Sequence, residues 1–159
     1  MGNPKPLLIS FAAFILTLAG MLWTEQQAGC GTIIIPLELV PDIVTFKNMI
    51  LGCNVDWLKR NTLLDFVFLV MYSATLYYGL KSLSARLAPY AWLTLLPAAF
   101  DCVENVLLIK FLYADVADVS PTAFSTYYFC VHIKFVLLVI ILITLLVLAL
   151  KLLFGKLAK

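Results

Sequence analysis

The residues of this chain whose types and spacing could do chemistry lie together in one short apolar stretch. Asp101, Glu104 and Asn105 are three and four residues apart, so on a helix they share one face. The apolar run around them, from about 90 to 113, is long enough to cross a bilayer as one helix. Ionisable groups at membrane depth are costly and nearly always face a bundle interior or a wet cavity. This stretch is therefore predicted to hold the functional site.

Two other apolar runs carry polar side chains at a similar depth. Asp65 and Tyr72 share a helical face on the second run, and Tyr127 and Lys134, seven residues apart, share one on the last run. Counted along a helix from the run ends, Asp65 lies about 12 Å and Lys134 about 18 Å into the bilayer. This agreement in depth predicts that they converge, with the acids of the third run, on a single site.

Glu38 is the remaining candidate, a lone acid among Ile, Leu and Val between the first two runs. The segment that holds it, 24–56, is interrupted by residues that break regular structure, namely Gly29, Gly31, Pro36 and Pro41. The segment is predicted to lie in the membrane interface or to dip in as a re-entrant piece. Glu38 is then either an exposed interfacial acid or a side chain that reaches into the bundle.

Composition fixes the class of protein to which these segments belong. Of 159 residues, 64% are hydrophobic and 13% are charged, and the mean hydropathy is +1.04. Soluble domains are nearer half apolar and a quarter charged. The predicted fold is all-α, a single transmembrane domain over 1–159. The predicted spans of this four-helix bundle are 7–23, 57–80, 90–113 and 122–150. Pro97 is predicted to kink the third span.

The distribution of basic residues predicts the orientation in the membrane. With four spans both termini share a side. Six basic residues fall on that side, namely Lys5, Lys81, Arg86, Lys151, Lys156 and Lys159. Three fall on the other side, namely Lys47, Lys59 and Arg60. The positive-inside rule then places both termini in the cytoplasm and the long first loop outside.

Several classes of function are disfavoured by what the sequence lacks. It shows no basic aromatic patch, so nucleic acid is not an expected partner. Four cysteines without a C-x-x-C pair and one histidine give no zinc pattern, and neither a metal nor another cofactor is predicted. A metal bound by carboxylates without histidine would be an oxygen-preferring ion such as Mg²⁺, Ca²⁺ or Mn²⁺. Cys30 and Cys53 flank the first loop and form either a disulfide, if that loop is extracytoplasmic, or two thiols.

Charge balance frames three functional hypotheses. Lys134 can offset only one of the buried carboxylates, so the others are protonated or a cation completes the site. The leading hypothesis is binding of a small cationic or lipid ligand from the outer side, and transport would then require a homo-oligomer. The alternatives are a membrane enzyme that uses Asp101 and Glu104 as acid and base on a lipid-soluble substrate, or a structural subunit held in register by its charges.

Four short motifs resemble those of a family of small bacterial integral membrane proteins that has no assigned activity. The motifs are E-L at 38–39, L-D-F-x-F at 64–68, D-x-x-E-N at 101–105 and K-F at 134–135. The resemblance covers about 33–150. It implies four spans in a bacterial inner membrane and supports the same site residues, and it implies nothing about the chemistry.

Overall fold

The computed structural model describes residues 5–31, 34–114 and 118–157, and every regular element in these ranges is a helix. In chain order the elements are α1 (Lys5–Gln27), α2 (Ile34–Leu39), α3 (Ile43–Leu51), α4 (Val55–Leu83), a 3₁₀ helix (Ala88–Leu95), α5 (Leu96–Tyr113) and α6 (Pro121–Leu157). The predicted all-α class is thus confirmed for these ranges. The first loop, predicted to be one interfacial or re-entrant segment, contains two short helices.

Three of these helices, α1, α4 and α6, are long and apolar enough to cross a membrane, which indicates a membrane protein. Each is longer than the corresponding predicted span. The third predicted span is less simple. Its helix α5 has 18 residues and carries Asp101, Glu104 and Lys110, so length and apolar composition alone do not identify it as a span.

Pro97 begins a helix and does not kink one, contrary to the prediction of a continuous helix over 90–113. The chain runs through the 3₁₀ helix, and Pro97 stands in the first turn of α5. Proline has no N–H to donate, and the first turn of a helix is where that donor has no intrahelical partner. The turn therefore accepts Pro97 without losing a hydrogen bond.

Helix α4 is the centre of the bundle, because it packs against α1, the 3₁₀ helix, α5 and α6. Helix α1 packs mainly on α4. Asn61 of α4 donates to the carbonyl oxygen of Met21 and to the Thr24 hydroxyl, both at 2.8 Å. At Gly20 an added Cβ would lie 2.9 Å from Cδ2 of Leu64, so the missing side chain permits close approach of the two helices.

The two short helices cover one end of the bundle, which we call the loop end. Phe46 of α3 is fully buried, and its ring lies 5.8, 5.2 and 5.3 Å from the rings of Phe111, Phe124 and Tyr127. A disulfide joins Cys30 and Cys53 on either side of α2 and α3, which answers the question that the sequence left open. The ring packing holds this cover on α5 and α6, and the disulfide ties together the two ends of the segment that forms it.

The opposite end, which we call the terminal end, is where α1 begins and α6 ends. A Cβ added at Gly79 of α4 would lie 3.7 Å from Leu145 of α6 and 4.0 Å from Leu7 of α1. The start of α1 and the second half of α6 therefore meet at the same level of α4. We call the parts of the bundle on the two sides of Asp65 the loop half and the terminal half.

Candidate intramembrane polar site

Lys134 is the centre of the polar site. It lies on α6, 5% exposed, and its Nζ is 2.8 Å from Oε2 of Glu104 and 3.3 Å from both Oδ1 of Asp101 and Oε2 of Glu38. The contact with Glu104 is the shortest of these three ion pairs, and no other described residue donates a hydrogen bond to this Oε2. One ammonium group thus faces carboxylates from α2 and α5.

Two neutral side chains extend the cluster across to α4. The Tyr72 hydroxyl donates to Oδ2 of Asp101 at 2.9 Å. Nδ2 of Asn105 donates to Oδ2 of Asp65 at 2.8 Å and approaches Oδ1 of Asp101 at 3.5 Å. Asp65 therefore joins the cluster through an amide, and Asp101 is the carboxylate that contacts the most partners.

Glu38 reaches into the bundle, which decides between the two positions left open by the sequence. It is only 7% exposed, and Leu37 beside it is 1% exposed. The Glu25 carboxylate accepts the N–H of Ile34 at 2.8 Å, so the end of α1 fixes the first residue of α2. This contact and the packing of α2 on α6 bring Glu38 to Lys134.

Tyr127 occupies a different position from the other predicted site residues. Its ring is fully buried among Phe46, Phe111 and Phe124, and its hydroxyl has no hydrogen-bond partner among the described residues. Tyr127 and Lys134 share a face of α6, as their spacing predicts, but two turns separate them by about 10 Å. The structure thus places Tyr127 in the loop-half core and does not bond it to the cluster.

A long groove opens beside the cluster, with α4 as its floor and α1 and α6 as its walls. Its volume is about 720 Å³. Of the predicted site residues, five line it, namely Glu38, Asp65, Tyr72, Asp101 and Lys134. Glu104, Asn105 and Tyr127 are not among its lining residues. The predicted set thus divides into side chains that a ligand could touch and side chains that lie behind them.

The groove is apolar apart from this polar region. Its edges carry exposed side chains, among them Phe11 at 50% and Leu22 at 50% on α1, and Leu142 at 53% on α6. At the loop end, Ile34 and Ile35 of α2 contribute to the lining. With α1 and α6 upright in a bilayer, the opening between them faces lipid.

Two residues that contribute to the site were not predicted. Asn61 lies four residues before Asp65 and so on the same helical face, a signal that could have identified it. It lines the groove and ties α1 to α4. Glu25 also lines the groove and accepts a hydrogen bond from the Ile34 N–H, a contact that no sequence pattern indicates.

The arrangement is suited to holding positive charge. Four carboxyl groups, Glu38, Asp65, Asp101 and Glu104, accompany the single ammonium of Lys134, so the formal charge of these five side chains is 1 − 4 = −3. Within the described part of the chain, no group of acid, histidine and cysteine side chains is placed to hold a metal ion. An organic cation or bound protons can offset this charge.

Comparison with known proteins leaves this geometry as the basis for assigning function. No family model, no curated protein and no solved structure matches the chain.

Proposed function

We propose that this chain is a four-span membrane protein that binds a cationic ligand at the Lys134 cluster. The observation that carries the proposal is the excess of buried carboxylates beside an open groove. Uncompensated charge in an apolar interior is costly. Three of the carboxylates, Glu38, Asp65 and Asp101, line the groove and can meet a ligand.

The fourth span in this proposal is α5. Its 18 residues extend over about 27 Å, close to the hydrocarbon thickness of about 30 Å. Its acids face inward, since Asp101 is 3% and Glu104 1% exposed, whereas Val103 and Val106 are exposed as lipid-facing residues would be. The two acids that make its composition ambiguous are therefore hidden from lipid, and the exposed Lys110 lies in the last turn, near the end of the span.

The orientation in this proposal places the loop end outside the cytoplasm. A disulfide between Cys30 and Cys53 is favoured in an oxidising compartment. The bias of Lys and Arg toward the terminal end supports the same orientation. A bacterial cytoplasmic membrane would meet both conditions, with the termini inside.

The charge of the site is incompletely offset as it stands. Lys134 is shared among three carboxylates, and Asp65 is bonded to an amide. A ligand ammonium with three N–H donors would supply positive charge to this cluster and hydrogen bonds to the carboxylates that line the groove.

The test is the effect of a short amine on the melting temperature of the purified protein in lipid nanodiscs. We expect n-butylamine to raise it for the wild type and for Asp56→Asn, a control in which an exposed acid at the loop end is removed. We expect no rise for Asp101→Asn or Asp65→Asn. Asp65 is not paired with Lys134, so its variant tests binding with less disturbance of the ion pairs.

The competing function is a structural one, in which the charges only hold the helices together. It predicts that the amine raises no melting temperature, although Asp101→Asn lowers it. That result would overturn the binding proposal. An equal rise in all four proteins would also overturn it, because the amine would then act elsewhere.

A further inference from the structure

We infer that the ligand is a single-chain amphiphilic amine, whose hydrocarbon chain lies along the groove and which enters sideways from the lipid between α1 and α6. This inference rests on the proposed function, because the amine head is assigned to the Lys134 cluster. Beyond the proposed function, it specifies that the ligand has a hydrocarbon chain, in which direction this chain lies and by which route the ligand enters.

The groove extends much further from the cluster toward the terminal end than toward the loop end. Along α4, the lining residues run from Asp65 to Leu83, about 27 Å of helix, but only to Asn61 on the other side, about 6 Å. Along α6, they run from Lys134 to Ala149, about 22 Å. A ligand with its head at the cluster therefore has room for a long chain in one direction only.

The part of the groove between the cluster and the terminal end, which we call the long arm, has a lining that suits a hydrocarbon chain. Its lining beyond the cluster includes Phe14, Leu76 and Leu138, and the Thr75 hydroxyl donates to the Met71 carbonyl of its own helix. Ordered water needs two to four polar partners, which such a lining does not supply. The volume of about 720 Å³ lies within the roughly 300–1,000 Å³ of small-molecule sites.

Charge complementarity selects an amine among amphiphiles. The phosphate of a phospholipid or the sulfate of a detergent would face the carboxylates of Glu38, Asp65 and Asp101 with a charge of the same sign. A long-chain alcohol would fill the arm and leave the charge uncompensated. An ammonium head offsets the carboxylate charge at the cluster, and its single alkyl chain fills the apolar arm.

The covered loop end favours lateral entry. Ile34, Ile35 and Glu38 of α2 line that end of the groove, so a ligand from the outer solution would have to displace α2. Between α1 and α6, the exposed edges are apolar and present no polar barrier. A membrane-dissolved amine can reach the cluster there without leaving hydrocarbon.

The experiment measures binding of n-butylamine, dodecylamine, dodecanol and dodecyl sulfate to the protein in nanodiscs, by native mass spectrometry and thermal shift. Two variants fill the long arm within reach of a twelve-carbon chain, Thr75→Phe and Leu142→Trp, at about 15 Å along α4 from Asp65 and about 12 Å along α6 from Lys134. Leu142 is 53% exposed, so Leu142→Trp keeps the test valid if Thr75→Phe fails to fold. Val70→Phe, which adds bulk on an exposed part of α4 outside the groove, is the matched control.

We expect dodecylamine to bind the wild type and Val70→Phe, and to bind the two arm-filling variants about tenfold more weakly. Binding of n-butylamine should be unchanged in these variants, and Asp65→Asn should lose both amines. Dodecanol and dodecyl sulfate should bind weakly to every protein.

Two outcomes would overturn the inference and can be told apart from failure of the proposed function. If the arm-filling variants bind dodecylamine like the wild type while Asp65→Asn loses both amines, the cationic site stands and the chain lies elsewhere. If dodecanol binds as tightly as dodecylamine, the groove binds chains without regard to charge. If neither amine depends on Asp65, the proposed function fails as well.

Discussion

The loop half and the terminal half of the bundle are packed in different ways. Among the described residues, thirteen buried apolar side chains form one cluster in the loop half, with Phe46 in its middle. In the terminal half the corresponding cluster has only four, namely Leu69, Tyr72, Leu76 and Ala98. The loop half therefore resembles the core of a soluble protein, whereas the terminal half leaves α1 and α6 apart with the groove between them.

In the proposed membrane arrangement, the two halves face different solvents. The loop end would meet the membrane surface, where the cover formed by α2 and α3 excludes water from the ion cluster. In the terminal half the surroundings would be lipid tails, which are as apolar as leucine. Exposing the facing sides of two separated helices to them therefore has no hydrophobic cost. A bilayer thus allows a cleft in the terminal half that water would drive closed.

The most direct test of this comparison is to truncate one apolar side chain to alanine in each half. Phe46→Ala should lower the free energy of unfolding by about 4 kcal/mol, because it removes a fully buried ring that contacts three others. Ile143→Ala, at a side chain 56% exposed on the terminal half of α6, should change it little. Denaturation in mixed micelles followed by circular dichroism gives both values, and equal losses would refute the distinction.

Removal of the central ammonium should have the next largest effect. Lys134→Met leaves Glu38, Asp101 and Glu104 without their cation, and we expect a loss of about 3 kcal/mol. Lys151→Met, at an exposed position on the same helix, is the control and should leave stability unchanged. The same unfolding assay measures both.

A second substitution sharpens the prediction for Lys134. If the loss comes from uncompensated negative charge, adding Glu104→Gln to Lys134→Met should restore part of the stability, because one carboxylate is removed. If the double variant is as unstable as the sum of the two single variants, the lysine acts through packing and the charge argument is wrong.

The smallest expected effect concerns the N-terminus of α3. The Asp42 carboxylate accepts the Thr45 N–H at 2.8 Å, and this backbone hydrogen bond lowers the pKa of Asp42. A lowered pKa stabilises the fold above the ordinary pKa of the group, and the contribution is lost as pH falls through the lowered value. Asp42→Ala should lower the melting temperature slightly at about pH 6 and have less effect at about pH 3.

The matched variant for this position is Asp42→Asn, whose amide oxygen can accept the same hydrogen bond at any pH. It should melt close to the wild type at about pH 6 and lack the part of the acid sensitivity that belongs to Asp42. If the Asn and Ala variants behave alike, the cap does not stabilise α3.

Periodicity and composition were sufficient to predict the long helices α1, α4 and α6, because both are local properties, but not the division of 90–113 into a 3₁₀ helix and α5. Agreement in depth along the three runs was sufficient to predict that Asp65, Asp101 and Lys134 converge. Glu38 could not be placed from sequence, since its burial depends on how Glu25 and the packing on α6 hold α2. Tyr127 was grouped with the site because it shares a face with Lys134, but a shared face does not fix the level along the helix.

The support of α1 mainly by α4 has a consequence for selectivity. One wall of the groove rests mainly on α4, through Asn61 and the close approach at Gly20, whereas the carboxylates of the cluster are held by α2, α4, α5 and α6. A tilt of α1 would widen the long arm without moving Lys134 or Asp101. We therefore expect the proposed site to discriminate strictly among head groups and to tolerate hydrocarbon chains of different girth.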